Sequence, residues 1–166
     1  MAFDTYLKIE TPNVTGEATA TGFEGQIEIY SFSWGASNPT TIGSGAQGLS
    51  AGKVSISSFN IMKKTETSSA PLFNACASGQ HYATATVTMR KAGGTAGQQI
   101  FLTYVFTDVM VESIQWSGSS GGDDTPTESV SLAFGKVEIT YFKQDDTGAM
   151  AKAGQASWNL QTVAST

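Results

Sequence analysis

Cys76 and His81 are the only cysteine and the only histidine among 166 residues, and together they are the one candidate nucleophile–base pair. Attack by a thiolate needs a base within hydrogen-bond reach and a third group that orients the base. Here the two residues flank a helix stop and no orienting residue is evident, so structural roles are expected for both. A single histidine also cannot build a histidine-rich metal site. Asp123-Asp124 and Asp145-Asp146 are paired acids on glycine-containing loops, the residue type needed for weak calcium binding or for the two carboxylates of sugar hydrolysis. Neither pair follows calcium-loop spacing, and solvated loop acids are the plainer reading. Gly43, Gly45 and Gly48 repeat the spacing of a dinucleotide-binding turn, but the chain then runs through Lys53-Val54 into a strand pattern rather than a helix. Without a helix N-terminus nothing there would hold a pyrophosphate. Gly52-Lys53 lacks the hydroxyl residue of a phosphate loop, because Val54 stands in its place. No catalytic residue, metal or cofactor is expected.

Composition sets the remaining bounds. Apolar residues make up 40% of the chain, with nine Phe, five Tyr and three Trp, enough for one domain, 1–166, with its own core. Charged residues are only 14%, against roughly 25% in typical soluble domains. Low charge with abundant small polar residues suits a surface placed against other protein. The net charge of −5 and the scattered basic residues argue against nucleic acid. Lys63-Lys64 and Arg90-Lys91 are the only adjacent basic pairs, and each is read as a solvated strand end. The first residues lack the basic start and apolar run of a signal peptide, and no stretch approaches a membrane span. Synthesis in the cytoplasm, followed by any export without a signal peptide, is the expectation.

Most elements that would position these residues are strands. Residues 3–9 alternate with Phe3, Leu7 and Ile9 on one face. Residues 11–25 read as a loop and 26–34 as a second strand. Its apolar phase slips from Ile27 and Ile29 to Phe32 and Trp34, as at a bulge or barrel corner. Residues 35–52 form a long Gly/Ser/Thr loop. Residues 53–62 form a third strand with a similar slip, from Val54 and Ile56 to Phe59 and Ile61. A single helix is expected at about 69–79, with Ser68 or Ser69 as N-cap, Pro71 in the first turn, Leu72, Phe73 and Cys76 on one stripe and Gly79 as stop. Cys76 on that stripe is expected to be a small buried hydrophobe. A strand over 81–91 places Ala83, Ala85, Val87 and Met89 on one face. Residues 99–116 form one bent strand or two around Asp108, and 128–142 another with a bulge at Gly135. Residues 143–154 read as a polar loop, and 155–163 close the chain with Ala156, Trp158 and Leu160 inward. The fold class is therefore mainly β: a single-domain β-barrel of about seven or eight strands with one short flanking α-helix.

Several segments in order carry a family resemblance. They are Tyr6-Leu7-Lys8-Ile9, Gly16-Glu17, Ser31-Phe32-Ser33-Trp34-Gly35, Gly52-Lys53-Val54, Ser69-Ala70-Pro71-Leu72-Phe73 with Ala75-Cys76, Gly79-Gln80-His81, Arg90-Lys91-Ala92-Gly93-Gly94 and the run Pro126 to Leu132. The chain resembles the haemolysin-coregulated protein (Hcp) family, the tube subunits of bacterial type VI secretion systems. It departs mildly at Lys63 to Glu66, where the family often has Asp near Glu66. The resemblance implies hexameric rings stacked into a hollow tube that is fired through a sheath, carries effectors in its lumen and is itself secreted. Its implied partners are other copies of itself, the spike protein at the tube tip, sheath proteins and effector proteins.

Within that frame the loop 37–51 is the candidate ring-stacking segment, being long and nearly uncharged, with Ser37, Thr40, Thr41, Ile42, Gln47 and Leu49 as its contact residues. The rival reading is a surface loop without a partner. Ser31 and Ser33 share a strand face and are candidates to line the lumen, the alternative being a barrel interior packed with small side chains. Trp34 and Trp158 are read as core or subunit-contact anchors. Two other classes fit parts of the pattern. One is a monomeric β-sandwich that binds carbohydrate or acts like an adhesin. The other is a small hydrolase built on the paired aspartates.

Overall fold

A computed structural model describes residues 2–43, 50–93, 97–122 and 124–166. Its main sheet has eight strands. Strand β1 (Asp4–Glu10) lies between β2 (Ile27–Ile29) and β9 (His81–Ala92). The order then continues through β10 (Gln98–Ser117), β11 (Thr127–Gln144) and β8 (Phe59–Lys64) to β3 (Ser31–Ser33). The two ends of this path, β2 and β3, are separated in the chain by Tyr30 alone, so the sheet curls until its ends meet. The architecture is barrel-like, as the sequence predicts. Strand β12 (Met150–Asn159) adds to β11 beside the far half of that long strand.

The phase slip in the second predicted strand is the barrel corner. Ile27 and Ile29 are buried, Tyr30 turns outward, and Phe32 then points back to the core from a different strand partner. The predicted strand 26–34 is thus two three-residue strands, β2 against β1 and β3 against β8. The predicted strand 53–62 divides for the same reason, into β7 (Ser55–Ile56) and β8, with Ser57 and Ser58 at the break. Both breaks meet at one point. The Ser57 amide donates to the Gly35 carbonyl at 2.9 Å, and the Gly35 amide donates to Ser57 Oγ at 2.9 Å.

Beyond that clasp the chain leaves the barrel as an arm, where the sequence predicts an unstructured loop. Strand β4 (Ala36–Ser37) pairs with β7, and β5 (Thr40–Thr41) pairs with β6 (Ser50–Ala51). Too few apolar residues alternate here to reveal strands in the sequence.

The core draws on every long element. Leu7 and Ile9 meet Ile27, Phe59, Ile61, Val87, Phe106, Val130 and Leu132, all buried. Phe3 does not join them: it is half-exposed and makes an edge contact with Phe101. Ala83 is exposed as well, whereas Ala85, Val87 and Met89 follow the predicted inward phase. Trp34, Tyr104, Phe106 and Phe134 form an edge-to-face cluster, with Trp34 ring centroids 5.2–6.2 Å from the other three.

Strand β10 is one long strand, and Asp108 is its irregular point, at φ 55°. Gly135 lies opposite, where an added Cβ would come within 3.3 Å of the Asp108 Cβ. The predicted bulge at Gly135 is absent: pairing keeps one register from Thr107↔Lys136 to Val109↔Phe134, and the register shifts instead between Val111 and Ser113. The distortion belongs to Asp108, and Gly135 makes room for it. The polar segment 143–154 is a tight turn followed by the first half of β12. Ala156 is consequently exposed, and Trp158 and Leu160 are only half-buried.

The helix α1 (Ser69–Ser78) packs on β10 through Leu72 and Ala75, with Cys76 half-buried beside them. Phe73 leaves the predicted stripe and is half-exposed, touching Trp116. Gly79 ends the helix at φ 70°, the left-handed conformation that favours glycine. Ser68 makes no side-chain cap; both serines are engaged elsewhere.

Candidate functional site

The residues with nucleophile chemistry are not brought together. Cys76 Sγ faces the Glu112 carbonyl at 3.8 Å, and His81 is solvent-exposed at the start of β9. Among the described residues no group of three or more His, Cys, Asp or Glu side chains is placed to hold a metal ion. Asp124 is exposed, and Asp123 lies outside the described residues. Asp145 is a turn residue. Its Oδ1 accepts the Thr147 hydroxyl at 2.6 Å and the Thr147 and Ala149 amides at 2.8 and 3.0 Å. The Thr147 hydroxyl, seconded by the turn amides, holds its carboxyl below the usual carboxylate range.

The basic pairs are not simply solvated strand ends. Lys63 and Glu128 are fully buried, with Lys63 Nζ 2.9 Å from Glu128 Oε1. Lys63 Nζ also donates to the Lys64 carbonyl at 3.0 Å and to Ser69 Oγ at 3.2 Å. Two ammonium donors thus have hydrogen-bond acceptors, while Glu128 Oε1 is held by the ion pair without a hydrogen bond. Ser69 Oγ donates in turn to Glu128, and Ser68 Oγ to Glu66. Glu66 Oε2 accepts the Glu17 amide at 2.7 Å, and Glu17 Oε2 accepts the Thr67 amide at 3.1 Å, so the helix entrance is clipped to the segment after β1. The sequence carried a signal for this cluster. Lys63 continues the inward phase of Phe59 and Ile61, and Glu128 precedes Val130 and Leu132 on the same phase. Arg90 is likewise packed: its guanidinium lies 5.1 Å from the Tyr6 ring and 5.0 Å from the Phe23 ring and pairs with Asp4 at 3.4 Å.

What the fold does leave open is surface of the kind used in assembly. On the arm, Ser37, Thr40, Thr41 and Ile42 are exposed, Ile42 at 81%. Gln47 and Leu49 lie outside the described residues. Ser31 and Ser33 are exposed on either side of the inward Phe32, which sets aside a packed barrel interior as their location. Strand β12 pairs along one side with β11, and its residues 151–156 are all exposed. At the base of the arm an open apolar cleft of about 280 Å³ is lined by Trp34, Val54, Ile56, Val137, Ile139 and Trp158, with Ala156 on its rim.

Residues 6–141 match the family described as type VI secretion system effector, Hcp. The chain belongs to the Hcp family. Protein hcp1 of Pseudomonas aeruginosa is 38% identical over 112 residues, 66% of this chain and 67% of that protein. A solved type six secretion system protein superposes with a TM-score of 0.90 at 36% identity, covering 99% of this chain and all of the other. Hcp1 from Salmonella typhimurium covers both chains completely, with a TM-score of 0.78 at 29% identity. The family match takes in the arm, the helix and the barrel strands of this Hcp as far as residue 141, ending before β12. No helix among its described residues is long and apolar enough to cross a membrane.

Proposed function

We propose that this Hcp is the repeating subunit of a type VI secretion inner tube. Six copies close into a ring, rings stack into a hollow tube, and the tube is exported on firing with effectors in its lumen. The spike at the tip and the sheath outside are its other partners. The subunit acts as structure rather than as a catalyst. It is made in the cytoplasm and leaves through the secretion system.

The observation that carries this reading is the open edge of β12 together with the projecting arm. Strand β12 carries one charged side chain, Lys152, and a register shift opposite Tyr141 and Phe142, and the Asn159–Ala164 bridge covers its end. Its residues 150–156 nevertheless pair, among the described residues, with β11 alone and leave a backbone edge for a partner. An identical neighbour satisfies such an edge through a heterologous contact that closes when the rotation per copy divides a full turn. The arm carries one charge, Lys53, between residues 35 and 57, so setting it against another ring desolvates little charge. Ser31 and Ser33 are the lumen-facing candidates, since short hydroxyl side chains accept varied cargo surfaces.

Light scattering after size exclusion, with negative-stain images of the same peak, tests the proposal. A mass near six times 17.4 kDa with ring-shaped particles is the expected result. A stable monomer at tens of micromolar overturns self-assembly as the default state and favours the monomeric binding module.

A further inference from the structure

The arm and the cleft at its base are mismatched within one molecule. Ile42 is the most exposed large hydrophobic residue described, at 81%, and its described neighbours Ser37, Asn38, Pro39, Thr40, Thr41 and Gly43 are small or polar apart from Pro39. The cleft has the opposite defect: two tryptophan rings and four aliphatic side chains line a concave apolar space that no described residue fills. At about 280 Å³ it has room for one branched aliphatic side chain and part of the backbone that carries it. Ile42 does not sit in the cleft of its own chain: it is 81% exposed and follows β5, on the far side of Asn38 and Pro39 from Ala36 at the cleft wall.

We infer that the cleft formed by Trp34, Val54, Ile56, Val137, Ile139 and Trp158 receives Ile42 from the arm of a second copy. The inference rests on the stacking role of the arm given above and assigns that arm its receptor. A knob and a hole on different parts of one surface make a heterologous contact, which repeats along an axis instead of closing in a pair. The charge pattern agrees. No charged side chain lines the cleft, and Lys53, the one charge on the arm, is a neighbour of Val54 at the base rather than of Ile42 at the tip.

Cross-linking of the full chain separates this inference from the reading beneath it. In a Cys76→Ser background, Ile42→Cys combined with Ala156→Cys places one thiol on the knob and one on the cleft rim. Mild oxidation is expected to give a ladder of covalent oligomers on a non-reducing gel, whereas each single-cysteine variant stops at dimers. Ile42→Asp, and separately a cleft filled by Val54→Trp, are each expected to weaken ring stacking about ten- to hundredfold per contact while ring mass is unchanged. Ile42→Leu retains stacking. Stacked rings in micrographs without a 42–156 cross-link overturn the cleft as receptor and leave the stacking role of the arm intact. Rings that never stack under any condition overturn the stacking role, and this inference with it.

Discussion

At the scale of single residues, the main result is a buried charge pair in a chain with few charges. Lys63 and Glu128 lie on the inward phase of neighbouring strands and are directly paired across β8 and β11, Glu128↔Lys63. Desolvating two charges is costly, and the Coulomb gain offsets it only when the remaining donors and acceptors are also satisfied. Ser69 and the Lys64 carbonyl accept from the ammonium, Ser69 donates to Glu128, and Glu66 adds a second carboxylate 3.7 Å away. The pair is thus satisfied in part, and Glu128 Oε1 has the ion pair alone. Lys63→Met leaves Glu128 buried without its cation, so a loss of about 3–5 kcal/mol in urea unfolding is expected. The double variant Lys63→Met with Glu128→Leu removes both charges and is expected to recover most of that loss. Additive losses in the double-mutant cycle would show that the two side chains do not act as a pair. The sequence held the phase of Lys63 but not its partner. Its neighbour Lys64 is exposed, 5.7 Å over the Tyr30 ring, and an adjacent basic pair reads as a solvated end until the strand alternation is applied to each residue separately.

At the scale of elements, the strands with strong apolar alternation were legible and the arm was not. The slips at Ile29 to Phe32 and at Ile56 to Phe59 mark the places where the chain changes strand partners, and both were visible as broken periodicity. The arm pairs through backbone alone, with exposed Ser, Thr and Ala side chains, so no periodic pattern marks it. The segment after β11 was missed for another reason: Asp145 makes the turn, and its role depends on hydrogen bonds formed only after the chain has reversed. That turn has a pH signature. Asp145 has a lowered carboxyl pKa in the folded chain, so its contribution is present above the unfolded value and is lost as pH falls through the folded one. Protection of the Ala149 amide, its exchange relative to the unstructured rate at the same pH, is expected to fall in acid, and Asp145→Ala should show the low protection at neutral pH as well. Equal protection in the variant and the parent at neutral pH would show that the turn holds without the carboxylate.

At the scale of the whole molecule, the composition and the surface agree on the forces available for assembly. The barrel buries its aromatic cluster and its charge pair inside one copy. The surfaces left over include backbone edge, small polar side chains, the apolar knob and cleft, and single exposed hydrophobic residues such as Tyr30, Trp116 and Tyr141. Contacts built from these elements are not screened by ions. At about 1 M salt the Debye length falls to about 3 Å, which removes most of the attraction between exposed charges and leaves apolar burial and strand pairing in place. Ring mass by light scattering is therefore expected to be constant from low salt to ~1 M sodium chloride, and stacking to increase in sulfate, which strengthens apolar burial by exclusion from the protein surface. The net charge of −5 per copy works in the same direction, because repulsion among like-charged copies weakens as salt rises. Dissociation of rings on adding sodium chloride would mean that exposed ion pairs hold them together, and Lys8–Glu10 and Arg90–Asp4 would be the first groups to reassign from intrachain to intersubunit contacts.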